Sequence, residues 1–483
     1  MRQKKTIAQN LIIYTLKTFI MSVSPFLIFP HVSRVLGTEG VGEVQYAYSI
    51  ASYFQLLAGL GISTYGIREG ALYKDDKEKL GRFSSDLLTV NLLSSSISVI
   101  LYLLIVFNVE ALQPYRNYLY LFAAYVFFAG FTLDWFTSIR EDFLYVTIRT
   151  TIFQLLVLAV AFVFIRKRED AFVYAVVLCL PYIFSSITNA IYIKKNVPLF
   201  CWKPNIKKHI YPILFLFAII VSANVYSLLD TTMLGIISGD SAVGLYTAAS
   251  KYTRLVVQLV LSICTVFLPR LILYISTKQK EKFEKLFLKS SEFILWLTIP
   301  CCFGMYILSP ELIEIFSGKE FMAAVTTMKI LSVNILFSTV DGFLGWQILV
   351  PLKKEKFLMY ATVTGAILDI VLNLLFIPAM GVDGAALATL CSELCVFTIC
   401  TVSCRKDVPL ARLFRSLWKY FCAAIPIIPI RYLIEKMNIM NVYGIVCVEV
   451  ILAAGIYVIV LCLFKETLTK EVIEKVLKKF NIR

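Results

Sequence analysis

Apolar runs of about twenty residues recur from one end of this sequence to the other, and that repetition constrains the fold more than any other feature. A bilayer's hydrocarbon core is about 30 Å thick and takes about 20 apolar residues as a helix. A helix also satisfies each backbone N–H and C=O within its own segment, which no open strand in lipid can do. Runs of this kind lie near 7–30, 42–62, 84–107, 118–138, 150–165, 171–193, 210–237, 245–275, 291–309, 323–350, 357–377, 385–403, 420–434 and 442–464. Fourteen spans result, with 150–165 and 420–434 the shortest. Composition agrees: 59% of the 483 residues are hydrophobic and only 16% charged, with a mean hydropathy of +0.78. A soluble chain of this length needs far more polar surface over its core. The fold class expected is an all-α polytopic membrane protein. The first apolar stretch is longer than a signal-peptide core and no small-residue cleavage pattern follows it, so it is expected to remain as a span.

Basic residues orient the spans, because they accumulate on the cytoplasmic side. With Arg2, Lys4 and Lys5 in the cytoplasm, 34 of the 47 lysines and arginines fall in cytoplasmic segments and 8 in outer loops. That bias favours an even number of spans and cytoplasmic termini. One run, Arg166-Lys167-Arg168, dissents by falling outside. The net charge of +15 therefore reads as topology, and no nucleic-acid partner is expected. Of the twelve cysteines nearly all lie in spans, Cys201 lies in a cytoplasmic loop, and no Cys-x-x-Cys occurs. Disulfides and thiolate metal sites are not expected. Basic amphipathic stretches at 278–289 and 467–480 read as helices on the cytoplasmic membrane face, or as solvated basic helices.

The chain also repeats itself. Leu36-Gly37 matches Leu234-Gly235, 198 residues later, and Val41-Gly42 matches Val243-Gly244 at an offset of 202. At the latter offset Ala47 matches Ala249, and Arg68 matches Arg270. The implied organisation is a six-helix half over 1–200, a second over 201–405, and two further helices with a cytoplasmic tail over 406–483. Six spans is an even number, so the halves are parallel repeats about an axis along the membrane normal, with substrate between them.

Five local stretches in order carry a resemblance. They are Pro30-His31-Val32-Ser33-Arg34-Val35-Leu36-Gly37 with Gly40-Val41-Gly42; Tyr46-Ala47-Tyr48-Ser49; Gly59-Leu60-Gly61-Ile62 with Tyr65-Gly66-Ile67-Arg68-Glu69; Asp134-Trp135-Phe136 followed by Glu141-Asp142; and Gly381-Val382-Asp383-Gly384-Ala385-Ala386-Leu387-Ala388-Thr389. With the span arrangement they resemble the Wzx-type polysaccharide flippases of the multidrug/oligosaccharidyl-lipid/polysaccharide exporter superfamily. At the fourth stretch that family has a glycine-containing segment where this chain has Thr137-Ser138-Ile139-Arg140. The resemblance implies a bacterial cell-membrane protein that flips polyprenyl-pyrophosphate-linked oligosaccharide repeat units to the outer leaflet by alternating access. Its implied partners are that lipid-linked substrate, membrane lipid and polysaccharide-assembly proteins.

Such a task sets physical requirements. A bare sugar hydroxyl in hydrocarbon costs several kcal/mol, and an unpaired pyrophosphate far more. Cationic candidates for the pyrophosphate are Lys17 in the first span, Lys251 and Arg254 one turn apart in the eighth, and Arg34, Arg68 and Arg270 at span ends. Ionisable residues within spans are costly to keep and functional by default; the span-end arginines alternatively snorkel to the headgroups. Asp230 and Asp341 lie deep enough to bind a coupling ion or proton, or else pair internally with these cations. Gly37, Gly42, Gly235 and Gly244 are gate candidates, since glycine permits close backbone approach; tight turns are the plainer reading. Pro25, Pro181, Pro269 and Pro300 bend their spans. The histidines, His31 and His209, are read as structural.

No Gly-x-x-x-x-Gly-Lys-Ser/Thr, His-Glu-x-x-His or Gly-x-Ser-x-Gly occurs, so neither ATP hydrolysis, a metal nor a cofactor is expected, and the chain is read as a transporter rather than an enzyme. A drug–cation antiporter of the same fold remains an alternative, though its cavity favours acidic and aromatic residues. A membrane-embedded polymerase or ligase is a more distant one, because it would need a large outer loop and none exceeds about twenty residues on this span reading.

Overall fold

The computed structural model describes residues 7–131, 133–198, 205–437 and 441–479. Among these residues every regular element is a helix. Two compact units emerge, Met1–Gly244 and Leu245–Arg483.

The first unit is built on α1 (Ile7–Gly59), α2 (Ile62–Gly70), α3 (Lys77–Asn108), α4 (Arg116–Gly130), α5 (Asp134–Ile139), α6 (Phe143–Phe164), α7 (Ala171–Asn196) and α8 (Ile206–Ser238). α1 is two helices joined at Gly37, whose φ of 70° and ψ of −173° interrupt the helical ladder. It forms the spine of the unit, packing against α3, α4, α6, α7 and α8. α8 packs in turn on α1, α2 and α3, which carries the unit past residue 200, where the sequence places the end of the first half. Where α1 ends, Leu60 and Gly61 take positive φ of 44° and 73°, freeing carbonyls that lipid cannot satisfy. Polar side chains of α3 fill that role: Ser94 donates to the Ala58 carbonyl at 2.7 Å and Ser98 to that of Phe54 at 2.5 Å, while Asn91 does the same at the end of α4, donating to the Gly130 carbonyl at 2.8 Å. Asp76 caps α3, accepting from the Glu78 and Lys79 amides. Hydrogen bonds from the Lys79 backbone and side chain hold its carboxyl below the usual carboxylate range.

The second unit holds α9 (Asp240–Cys264, which begins in the first), α10 (Leu268–Ser276), α11 (Lys280–Ile307), α12 (Ser309–Phe316), α13 (Val325–Gly342), α14 (Glu355–Met380), α15 (Val382–Cys404), α16 (Leu410–Ala424), α17 (Ile427–Met437), α18 (Val442–Leu463) and α19 (Thr467–Lys479). α15 packs on α13 and α14, while α11 joins α13 to α16, α17 and α18. Their shared core includes Phe287, Leu295, Phe343, Leu344, Cys400 and Tyr420. Beyond α13 the chain continues as a π-helical stretch, Phe343–Leu349. The amphipathic tail helix α19 is docked on α11: Trp296 donates to Thr469 at 3.1 Å, and Lys289 pairs with Glu471 at 2.5 Å. Glu466 caps α19 through the Leu468 and Thr469 amides.

Among the described residues twelve helical stretches are long and apolar enough to cross a membrane, so the chain is a multi-pass membrane protein. The expected first span lies on α1 (Ile7–Gly59) and the second runs along α1 into the start of α2, the two parted by the break at Gly37; the apolar stretch counted there is the single one Ser24–Tyr73. The expected seventh falls on α8, whose residues 222–227 have side chains outside the described set. Two shortest expectations prove too short: α6 starts at Phe143 rather than 150, and the thirteenth stretch runs Leu410–Tyr432 rather than 420–434. Pro25, Pro181 and Pro300 lie inside helices, and Pro269 opens α10 after a 3-10 turn, Thr265–Phe267.

Candidate functional site

A tightly constrained place in the first unit is a crossing between residues 37–44 of α1 and residues 239–244 at the start of α9. Gly37 and Gly239 adopt the same backbone conformation, φ 70° with ψ −173° and φ 81° with ψ −178°. The backbone therefore pairs Gly37 with Gly239, at an offset of 202, rather than with Gly235. The contacts that follow are reciprocal. A Cβ on Gly42 would run into the carbonyl of Asp240 and lie 3.1 Å from its Cα; a Cβ on Gly244 would run into the carbonyl of Thr38, again 3.1 Å from its Cα. Thr38 and Asp240 are themselves 202 residues apart, so each strand of the crossing presents the same two positions to the other. Gly235 has a different job, since a side chain there would strike the ring of Tyr46.

Polar groups tie the crossing together. The Ser241 hydroxyl donates to Thr38 at 3.1 Å. Tyr115, at the end of a 3-10 turn (Glu110–Tyr115), has its hydroxyl 2.8 Å from both carboxylate oxygens of Asp240. Tyr118 of α4 donates to Glu43 at 2.9 Å. The Tyr46 and Tyr115 rings meet edge to face, centroids 4.9 Å apart, an arrangement favoured by the ring quadrupoles.

The sequence-derived cations are spread along the chain. Arg34 is exposed on α1; Arg68 is exposed and pairs with Glu69 at 3.1 Å. Lys251 is half-buried and Arg254 exposed, one turn apart on α9, and Arg270 is exposed on α10. Arg34, Lys251 and Arg254 each engage neighbours. The side chain of Lys17 lies outside the described residues. Asp230 is 1% exposed and Asp341 7%. Asp341 closes α13 just before the π-helical turn, and its carboxylate faces repulsion from that of Glu393 on α15, which receives a short hydrogen bond from Ser338.

Three polar networks were not legible as such in the sequence. Arg149 of α6 is 7% exposed and binds Asp134 at 2.9 Å, Ser185 at 3.1 Å and Asn189, with its guanidinium 5.8 Å from the Tyr145 ring centre. It satisfies the carboxylate of the Asp134-Trp135-Phe136 stretch, and that acid was the signal that an internal cation had to exist. Arg431 of α17 bridges Glu311 of α12 and Glu449 of α18, tying the C-terminal helices to the rest of the second unit. His209, 3% exposed, sits between the Tyr65 hydroxyl at 2.8 Å and Asp86 at 3.3 Å, fastening α8 to α2 and α3. His31 meets the Ile165 carbonyl at 2.8 Å and stacks on Phe162. Among the described residues no group of His, Cys, Asp and Glu is arranged to hold a metal ion.

Known proteins share both sequence and fold with this chain. A probable low-salt glycan biosynthesis flippase, Agl15, of Haloferax volcanii is 28% identical over 164 residues, a match spanning 34% of this chain and 34% of that one. A putative O-antigen transporter of Shigella dysenteriae is 22% identical over 382 residues, 77% of this chain and 93% of that protein. Among solved structures, the lipid II flippase MurJ in an inward closed conformation superposes with a TM-score of 0.75 at 16% identity, covering 94% of this chain and 98% of that one. An inward-facing multidrug resistance transporter of the MATE family, in the MOP superfamily, gives 0.65 at 14% identity over 83% of this chain and 99% of its own. The fold is thus that of the MurJ and MATE transporters. The family model described as polysaccharide biosynthesis protein matches residues 7–275, more than half the sequence, and to that family this chain belongs.

Proposed function

We propose that this protein flips polyprenyl-pyrophosphate-linked oligosaccharides from the cytoplasmic to the outer leaflet of a bacterial cell membrane. The observation that carries the reading is the match to a putative O-antigen transporter along 93% of that protein's length. The lipid tail stays in the bilayer, while sugars and pyrophosphate need a wet, cationic path. Lys251 and Arg254, one turn apart on α9, are the residues assigned to the pyrophosphate, and Lys17, Arg34, Arg68 and Arg270 are assigned to its route. Asp230 and Asp341, both nearly excluded from solvent, are assigned to a coupling ion or proton, since an ionisable residue inside a span is costly to keep and functional by default. The halves 1–200 and 201–405 alternate access with both termini cytoplasmic, and the crossing at Gly42 and Gly244 is the outer gate. Polysaccharide-assembly enzymes supply the substrate at one face and consume it at the other.

The MATE-like fold supports a second reading, a drug–cation antiporter, which predicts an acidic rather than a basic path. The test substitutes Lys251 and Arg254 with alanine, singly. Surface polysaccharide should be lost at unchanged protein abundance, with Arg254→Lys milder than Arg254→Ala, because lysine keeps the charge but not the bidentate geometry. Normal export from both alanine variants would remove these residues from the site, and resistance to cationic drugs that follows the protein's expression would favour the antiporter.

A further inference from the structure

Resting on the gate reading above, we infer that Tyr115 is the strap that holds the crossing shut, and that releasing its hydroxyl from Asp240 is a required step of outward opening. The closed crossing has a problem of like charge. Asp240 arrives beside α1, which carries Glu39 and Glu43, and the three carboxylates repel one another. Backbone packing at Gly42 and Gly244 is tight but supplies no charge compensation. Compensation comes from hydroxyls. Tyr118 serves Glu43 at 2.9 Å, and both of those residues lie on the first-half helices α4 and α1, so this bond does not span the crossing. Tyr115 serves Asp240 with 2.8 Å to each carboxylate oxygen, joining the turn before α4 to the start of α9. Like the Ser241–Thr38 hydrogen bond, it must break for the first-half helices and the start of α9 to part, and of the two it alone serves a carboxylate.

The ring of Tyr115 leans on Tyr46, and Tyr46 fills the space left by Gly235. Phenylalanine at 115 keeps this packing and removes only the donor. Asp240 is then left beside two like charges without its hydrogen bond, and both effects favour separation.

The experiment uses the full-length protein with native cysteines replaced and one cysteine introduced, Thr38→Cys. Intact cells are treated with a membrane-impermeant maleimide. Tyr115→Phe should raise the labelling rate at position 38 about tenfold or more, the scale expected for a lost hydrogen bond to a charged group. Asp240→Ala removes the like-charge repulsion together with the bond and should raise the rate less, and the double variant should match Asp240→Ala, because the hydroxyl has no other carboxylate to serve there. Tyr118→Phe should leave the rate near the parent's. Labelling of Tyr115→Phe indistinguishable from that of Tyr118→Phe overturns the strap. The gate is tested separately: joining Thr38→Cys to Ser241→Cys by a disulfide must stop export, and export that continues through that bond refutes the gate, and the strap with it.

Discussion

Alanine at Gly42 is the perturbation whose size follows most directly from the crossing. The new Cβ would overlap the Asp240 carbonyl, and the helical backbones on both sides leave no rotamer through which to escape. The strands must separate by about 1 Å, or the closed state bears the overlap, at a cost of about 1–3 kcal/mol typical of overpacking. That cost falls on the closed arrangement alone, so the closed-to-open ratio drops about 5- to 150-fold. Because Gly244 meets Thr38 as Gly42 meets Asp240, with Cα distances of 3.1 Å in both cases, alanine at either position should act equally. The double variant should add little, since one separation relieves both clashes. The assay is the rate of disulfide formation between Thr38→Cys and Ser241→Cys, whose hydroxyls now lie 3.1 Å apart. Both single alanine variants should slow it by a similar factor. A parental rate in Gly42→Ala, or two unequal effects that sum in the double variant, would refute the reciprocal crossing.

Other expectations concern the ionic networks and the topology. Arg149→Ala leaves Asp134 and Asn189 without their shared cation and should destabilise the first unit by about 3–5 kcal/mol, read as lost abundance and a lower melting temperature in detergent; Arg149→Lys should recover part of it. Arg431→Met should be similarly costly, because Glu311 and Glu449 are 8% and 1% exposed, and adding Glu311→Gln should restore part of the loss by removing one of the two uncompensated charges. Topology reporters fused after residues 112, 239 and 380 should report outside; an inside signal at 239 would sink the two-half arrangement.

The spans were legible because burial in lipid demands long apolar runs, and α18 or α7 can hardly be read otherwise. Their ends were less so. Placing the fifth span at 150–165 put Arg149 in a loop, yet α6 begins at Phe143 and carries Arg149 into the interior. Arg431 falls inside the expected span 420–434, but its partners Glu311 and Glu449 lie 120 and 18 residues away. Pairings at such separations leave no periodic trace. The repeat offset of 202 was visible in Val41-Gly42 and Val243-Gly244, but identity of residue misled at Gly235. Its leucine–glycine doublet matches that of Gly37, whereas the backbone conformation of Gly37 recurs at Gly239. A positive φ is a property of the turn, and only the flanking Ser238 and Asp240 hint at one there. Tyr115 was not read as a site residue because nothing in a tyrosine just ahead of a span marks the carboxylate it will meet 125 positions on.

Transport itself is the claim on which the rest depends, and leaflet-resolved flipping in proteoliposomes tests it most directly. The purified protein is reconstituted with a polyprenyl-pyrophosphate oligosaccharide bearing a fluorophore on its sugar, and an impermeant quencher is added outside. Vesicles carrying the protein should expose labelled lipid from the inner leaflet over minutes, and those carrying Arg254→Ala should not. Quenching that stops at the outer-leaflet fraction, as in vesicles without protein and under every imposed ion or proton gradient, would contradict the account.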